Sequence, residues 1–283
     1  MTEFPATDVA LEGFRLTREQ PRAVAAWALL RLGFTLLAVL AMNAVSGPQL
    51  TAFMGAVAAG RSIDDVSQAA EPLLPTLLGL APFDLALQAI LMTACFRAVF
   101  QPLTGGRFYL RLGVEELRMF GVNLLGLAAV MIAALSASAL GSGVAALAGA
   151  AGAVGPLIAA AYFAVVVALF GYCAVRLSLT PALTQMEGRL AVRQSWRLTA
   201  GRHWLLLGAY VMAGILGGLI YVLGAVIGSV FQLLDPGHAV SFMSAASILS
   251  TAWMAMIGVL ISVVLQAPGA AAVQALMAVR RTA

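Results

Sequence analysis

Among the polar residues inside apolar stretches of this sequence, three are the best candidates for chemistry. Asp84 is the one acidic residue in the apolar stretch Thr76–Phe100, and Gln88 follows it by one helical turn. Arg31 lies inside an earlier apolar stretch. Because an ionised side chain in hydrocarbon is costly, such residues normally face a partner, a proton or a wet cavity. We therefore predict an intramembrane polar site at Arg31, Asp84 and Gln88, able to hold a proton, an ion or a headgroup.

The sequence leaves open whether Arg31 and Asp84 form a pair. A rise of about 1.5 Å per residue, counted from the predicted cytosolic ends of the apolar stretches, places Arg31 about 13 Å deep and Asp84 about 24 Å deep. An arginine side chain closes that difference only in part. In the alternative, Asp84 lies close enough to the far surface to be hydrated, and Arg31 extends its side chain to the near interface.

A second set of candidate residues is basic. A short pattern of Glu or Gln, any residue, a large apolar residue, Arg, and then Leu or Met occurs three times and contains Arg15, Arg118 and Arg197. Arg189 and Arg193 precede Arg197 at intervals of four residues, which is the spacing of one helix face. Basic faces of this kind contact anionic headgroups or a partner protein. The alternative interpretation is that they only fix the topology and keep the surface solvated.

The residue patterns of common enzymes are missing from the sequence. There are two histidines and no lysine, and we find no zinc-protease, nucleophile-elbow or phosphate-loop motif and no pair of intramembrane aspartates. Cys95 and Cys173 have no metal-ligand spacing and suit apolar packing. We therefore predict no enzymatic activity, no cofactor and no metal.

The elements that must position these residues are membrane helices. The 283 residues are 62% hydrophobic and 10% charged, whereas about a quarter of the residues in soluble domains are charged. Since about 20 apolar residues span a bilayer, we predict an all-α polytopic membrane bundle of six transmembrane helices, arranged as three hairpins with cytosolic amphipathic stubs. The predicted spans are 24–45, 76–100, 119–140, 154–175, 204–231 and 242–265, with the turn between the third and fourth in the glycine-rich segment 141–156.

The arginines predict the orientation of this bundle. Fourteen of the 16 lie at one set of span ends, against Arg61 alone at the other, and positive residues in short loops stay in the cytosol. The predicted division is a cytosolic segment 1–22, a membrane domain 23–267 and a cytosolic tail 268–283, with an outer loop 47–75 and cytosolic loops 101–118 and 177–203. The net charge of +4 is then explained by topology and headgroup contact, and no nucleic-acid binding is expected.

Local signals predict the shorter helices. Pro48 should break the first span, and Ser62 with Asp65 is typical of a capping pair that begins a short helix. In the 177–203 loop, Thr180 suits an N-cap and Gly201 suits the end of the stub.

The segment Arg176–Trp204 resembles a loop of one bacterial group. The residues that carry the resemblance are Pro181, Glu187, Gly188, Ser195, Trp196, Leu198, Thr199, Gly201 and Trp204. The group comprises six-span membrane proteins that resemble the membrane domain found ahead of glycerophosphodiester phosphodiesterase catalytic domains. The resemblance implies a helical inner-membrane bundle. It implies no catalysis, because the sequence has no room for the soluble phosphodiesterase barrel.

These features predict a non-catalytic protein of the bacterial inner membrane, multi-pass with both termini in the cytosol, that organises lipid or a partner protein through its arginine-rich face. The alternative is a small transporter or permease subunit with its site at Asp84 and Gln88. Expected partners are membrane lipids and a membrane protein or a second copy of the chain. The glycine pairs Gly214/Gly218 and Gly224/Gly228 suit internal packing and self-association equally.

Overall fold

The computed structural model describes residues 6–101, 106–233 and 245–282, which form ten α-helices joined by short turns and contain no strand. In chain order the helices are α1 (Ala6–Glu19), α2 (Pro21–Ala58), α3 (Ile63–Ala70), α4 (Leu74–Phe100), α5 (Val114–Ala150), α6 (Gly155–Leu177), α7 (Thr180–Glu187), α8 (Val192–Leu198), α9 (His203–Leu233) and α10 (Ala245–Thr282).

Six segments of the described chain are long and apolar enough to span a membrane, and they contain α2, α4, α5, α6, α9 and α10. Consecutive members of this set pack as the hairpins α2 with α4, α5 with α6, and α9 with α10. The predicted all-α polytopic bundle is therefore confirmed, and the chain is a multi-pass membrane protein.

Helix α10 organises the packing of the bundle. It contacts α9 most extensively, and α1, α2, α4 and α7 also pack against it. The core includes the fully buried side chains of Trp27, Met119, Leu183, Leu206 and Leu276. It lies where α1, residues 106–113, residues 178–202 and the last turns of α10 meet. Since most arginines of the described chain are also there, we call this part the arginine-rich end.

The α5–α6 hairpin exposes most of its apolar surface. The residues that α5 buries are Glu116, Met119 and Val122, all near its start, and α6 buries Gly155 and Val175 at its two ends. Apolar helices with so little protein contact must face lipid or another protein, because exposing so much apolar surface to water is unfavourable.

Two local predictions concern the end of the bundle opposite the arginine-rich end, and one of them is confirmed. Ser62 Oγ accepts a hydrogen bond from the Asp65 N–H at 3.2 Å and donates one to Asp65 Oδ2 at 2.8 Å, which confirms the capping pair at the start of α3. Pro48 kinks α2 without ending it: the backbone leaves helical geometry at Ser46 (φ −133°, ψ 28°) and the helix then resumes. Proline removes one helical hydrogen bond and crowds the preceding turn.

The turn between the third and fourth spans lies at the end of the predicted segment. Helix α5 continues past Leu140 to Ala150, and the chain reverses at 151–154, where Gly152 has φ +57°. A positive φ favours glycine, and Pro156 in the first turn of α6 suits a helix start.

The predicted amphipathic stubs differ from one another. Only α1 is a separate helix that introduces a span as expected, because the second copy of the pattern, Glu115–Met119, forms the first turns of α5 itself. The third is two helices: α7 ends at Gly188, which has φ +65°, and α8 ends before Gly201, which has φ +76°. Leu179, not Thr180, is the N-cap residue of α7.

One continuous helix crosses the predicted boundary between membrane domain and tail at 267/268. Helix α10 passes Pro268 and continues to Thr282. It buries Ala270, Val273 and Leu276 in the core. Residues 268–278 therefore belong to the bundle.

Candidate functional site

Arg31 of α2 and Asp84 of α4 form an ion pair, with 2.6 Å between Arg31 Nη1 and Asp84 Oδ1. Their side chains are 33% and 43% exposed on the protein surface. The pair balances both charges inside the spans, which is the usual way that a membrane helix keeps an ionised residue. Counting residues from the helix ends gave different depths because it includes neither the reach of the guanidinium group nor the offset between the two helices.

Gln88 and Arg31 border different cavities. Gln88 lines a cavity of about 590 Å³ between α4, α5 and the α6–α7 connection, and neither Arg31 nor Asp84 lines that cavity. Arg31 instead borders a cavity of about 360 Å³ between α2 and α10, together with the hydroxyl-bearing residues Thr35, Ser250 and Thr251. A shared site of Arg31, Asp84 and Gln88 therefore stays a prediction.

The arginines of the 178–202 segment converge on one cavity of about 1100 Å³. We call it the arginine cavity, and it is lined by Arg189, Arg193, Arg197 and Arg202. Its one carboxylate is Glu187, whose Oε2 accepts a hydrogen bond from Arg189 Nε at 3.0 Å. Within the described chain, no ion pair involves any of the other three arginines.

Two left-handed glycines bring these arginines together. Arg193 and Arg197 are one turn apart on α8, as the four-residue spacing predicts. Arg189 is not on the same helix, because Gly188 ends α7 just before it, and the turn at Gly201 places Arg202 at the cavity from the other side. Sequence reasoning missed the part played by Arg202, for which Gly201 was the available signal.

An aromatic cluster adjoins α8. The rings of Tyr172 and Trp196 are 6.0 Å apart and nearly perpendicular, and the Arg176 guanidinium lies 5.1 Å from each ring centroid. His203 packs against Tyr172 and against Trp204, whose side chain is largely exposed. Tyr and Trp side chains concentrate at the level of lipid headgroups. This cluster therefore has the composition typical of that level.

Arg15 and Arg118 lie outside the arginine cavity. Arg15 pairs with Glu12 at 2.9 Å and with Glu19 at 3.7 Å, both on α1. Burial of the Glu12 carboxyl raises its pKa above the usual value, while the Arg15 charge partly opposes that shift. Arg118 lines a different cavity, beside Glu115 and Glu116 of α5. The five predicted contact arginines therefore occupy three places at the arginine-rich end.

A buried ionic cluster at this end was not predicted from the sequence. Arg97 Nη2 lies 2.7 Å from Glu115 Oε2 and 2.5 Å from Glu116 Oε1, and only 12% of the arginine side chain and 6% of that of Glu116 are exposed. Gln185 Nε2 donates to Glu115 Oε2 at 2.7 Å and so joins α7 to the cluster. The available signal was a 79-residue offset between Arg97 and Arg176, which lie at the ends of the second and fourth predicted spans.

That spacing has a structural meaning. Arg97 and Arg176 end the second and fourth spans, 79 residues apart. Arg97 Nη1 donates to Tyr109 O at 3.1 Å, and Arg176 Nη1 donates to Trp196 O at 3.0 Å. Each arginine therefore fixes the backbone of the segment that leads into the next span.

Neither metal coordination nor relatives identify a further site. In residues 6–101, 106–233 and 245–282, no three His, Cys, Asp or Glu side chains could together hold a metal ion. No protein-family model, curated protein or solved structure matches this chain. The resemblance of the segment Arg176–Trp204 to phosphodiesterase-associated membrane domains stays a prediction.

Proposed function

We propose that this chain is a non-catalytic, multi-pass protein of a bacterial inner membrane that binds anionic lipid headgroups at its arginine cavity. The observation that carries the proposal is the unbalanced charge of that cavity, which has four arginines and one glutamate. Arg193, Arg197 and Arg202 have no carboxylate partner in the described chain. A phosphate group would supply the missing negative charge, and a guanidinium group binds its oxygens through two parallel hydrogen bonds.

The location of the cavity favours a lipid headgroup over a soluble anion. Trp196 and Trp204, both exposed, flank the arginines at the end of α8 and the start of α9. Aromatic side chains of this type lie at the headgroup level, beside the phosphates of the bilayer. The arginine cavity is therefore at the depth where lipid phosphates are most concentrated.

The proposed orientation follows from the charge of the two ends. Fourteen arginines belong to the arginine-rich end by their positions in the sequence, and Arg61 belongs to the opposite end. Short positive loops remain on the cytosolic side during insertion. The arginine cavity would then face the cytosolic leaflet, where anionic lipids give the surface a negative potential.

The test is lipid binding by the purified full-length protein in detergent, measured by native mass spectrometry with dioleoyl phosphatidylglycerol and dioleoyl phosphatidylcholine. The wild type should prefer the anionic lipid. The double variant Arg193→Gln/Arg197→Gln should lose about 30-fold of this preference, since each basic residue near a membrane surface is worth about 1 kcal/mol.

The matched control removes the same charge elsewhere. Arg18→Gln/Arg61→Gln replaces two exposed arginines that line neither the arginine cavity nor its neighbours. It should keep the wild-type preference. Equal losses in the two double variants would mean that net charge alone attracts the lipid, and the proposed site would be wrong.

A second candidate function is a small transporter or permease subunit, and the Arg31–Asp84 ion pair is the observation that favours it. The ion pair joins two spans and lies beside a cavity with three hydroxyl groups. In such a pair, a side chain can exchange its partner for a proton or an ion. Asp84→Asn tests this candidate in proteoliposomes loaded with a pH-sensitive dye. Loss of a wild-type proton flux would support it, whereas no flux in the wild type, or an unchanged flux in the variant, would exclude a proton pathway through Asp84.

A further inference from the structure

A mainly apolar cavity adjoins the arginine cavity. Its volume is about 590 Å³, and Leu190 and Val192 line both cavities. These two residues belong to the link between α7 and α8 and to the start of α8, which follow the left-handed Gly188. The apolar cavity extends from this link between α4 and α5, along Leu85, Leu125 and Ala129.

Three polar side chains, those of Gln88, Asn123 and Thr180, interrupt the apolar lining. Asn123 of α5 and Thr180 of α7 both line the cavity, and neither Asn123 Nδ2 nor Thr180 Oγ1 has a hydrogen-bond partner in the described chain. An unpaired buried polar group has lost its hydrogen bonds to water without replacement, which is a free-energy cost. Both atoms can donate to an acceptor, so a ligand that brings carbonyl oxygens to this point would remove the cost.

The chemistry of the lining changes in order along the two cavities. The arginines come first, then Asn123 and Thr180, and then a mainly apolar part, where Gly126 and Ala129 lie about 4.5 and 9 Å beyond Asn123 along α5 and Gln88 is the remaining polar side chain. A glycerophospholipid has the same order of groups: a phosphate, then ester carbonyls, then acyl chains. The match extends over all three zones.

We propose that the two cavities form one binding site for a single anionic diacyl glycerophospholipid. Its phosphate binds in the arginine cavity, an ester carbonyl accepts hydrogen bonds from Asn123 and Thr180, and one acyl chain occupies the apolar cavity. This inference rests on the proposed headgroup function and adds to it the class of lipid and the path of its chain. The Leu190–Val192 link then lies against the glycerol backbone.

The first experiment fills the apolar cavity. A Cβ atom at Gly126 would meet nothing within 4 Å, so Gly126→Leu should fold normally while its side chain occupies the space of the acyl chain. The control is Gly143→Leu, on the same helix and also without a neighbour within 4 Å, but outside the cavity. Measured by native mass spectrometry, Gly126→Leu should bind dioleoyl phosphatidylglycerol at least tenfold more weakly than the wild type, and Gly143→Leu should bind it normally.

The second experiment tests the ester contact. The wild type should bind dioleoyl phosphatidylglycerol about fivefold more tightly than its dialkyl ether analogue, the factor expected from one hydrogen bond. Asn123→Leu/Thr180→Val, which removes both proposed donors, should bind both lipids equally. If the wild type does not distinguish ester from ether, the proposed contact at Asn123 is wrong.

A soluble headgroup separates failure of this inference from failure of the proposed function. Glycerol phosphate, followed by the broadening of its ³¹P signal, should bind to the wild type and to Gly126→Leu alike, and should bind poorly to Arg193→Gln/Arg197→Gln. Full lipid binding by Gly126→Leu would overturn the single-lipid site and leave headgroup binding intact. Unchanged binding of both probes by the arginine variant would overturn both.

Discussion

Gly13 of α1 lies so close to Val264 of α10 that a Cβ atom on Gly13 would be 2.5 Å from the Val264 Cα atom. Real Cβ atoms essentially never come this close to backbone, so the two helices touch backbone to backbone at this point. Val9, Ala10 and Leu16 of α1 are buried around the contact. The amphipathic helix ahead of the first span therefore packs into the bundle and does not only rest on a membrane surface.

We expect Gly13→Ala to destabilise the protein by about 1–3 kcal/mol, because the added methyl group must push α1 away from α10. Thermal unfolding of the protein in detergent, followed by circular dichroism, measures this loss. Gly33→Ala is the control, since a Cβ atom on Gly33 of α2 meets nothing within 4 Å. Alanine favours a helix, so this control should be neutral or slightly stabilising. Equal stability of the two variants would contradict the close contact.

The ionic cluster at Arg97 should behave as a buried pair. Arg97→Met leaves Glu116 as a buried carboxylate without its cation, and removal of one member of such a pair costs about 3–5 kcal/mol. Adding Glu116→Gln should restore most of the loss, and a double-mutant cycle on unfolding free energies measures the coupling. Arg18→Met, at an exposed arginine, should change stability by less than about 0.5 kcal/mol. Additive effects of Arg97→Met and Glu116→Gln would disprove the coupling.

Local signals in the sequence were sufficient where one short segment decides the structure. The Ser62–Asp65 cap forms as predicted because its partners are three residues apart. The six spans were predicted because each must be a long apolar helix. Gly188 was missed as a helix end because Met186 and Leu190 around it continue a helical spacing, and only the left-handed backbone at Gly188 ends α7.

The sequence did not predict how the helices are positioned against one another. The Arg31–Asp84 pair depends on how far α2 and α4 are offset, and no residue pattern records that offset. The extension of α10 past Pro268 was missed because apolar length alone predicts where a span can end, while the buried contacts of Val273 and Leu276 continue the helix. The sequence predicted part of the arginine cavity. The four-residue spacing predicted that Arg193 and Arg197 share one helix face, whereas the place of Arg202 at the cavity follows from the fold.

Glu12 should make stability depend on pH. Burial raises the folded-state pKa of Glu12 above its usual value of 4.5, so the folded protein holds that proton more tightly than the unfolded chain does. This contribution to stability is complete below about pH 4.5 and is lost as the pH rises through the folded-state pKa. We therefore expect Glu12→Gln to unfold like the wild type at about pH 4 and at a higher temperature than the wild type at about pH 8.

Thermal unfolding across that pH range checks this expectation. Glu19→Gln, at an exposed carboxylate of α1, controls for the loss of one negative charge. A difference between Glu12→Gln and the wild type that stays constant with pH would show that Glu12 acts through packing and not through its ionisation.

The proposed orientation predicts which end a reagent reaches from outside the cell. Ala59 and Ala200 are exposed, the first at the end of α2 and the second at the arginine-rich end beside the arginine cavity. Ala59→Cys and Ala200→Cys, each with Cys173→Ala and with the buried Cys95 retained, should react differently with a membrane-impermeant maleimide. We expect the cysteine at 59 to be labelled in intact spheroplasts and the cysteine at 200 only after permeabilisation, because the arginine-rich end stays in the cytosol. Labelling of the cysteine at 200 in intact spheroplasts would reverse the topology and place the proposed lipid site in the outer leaflet.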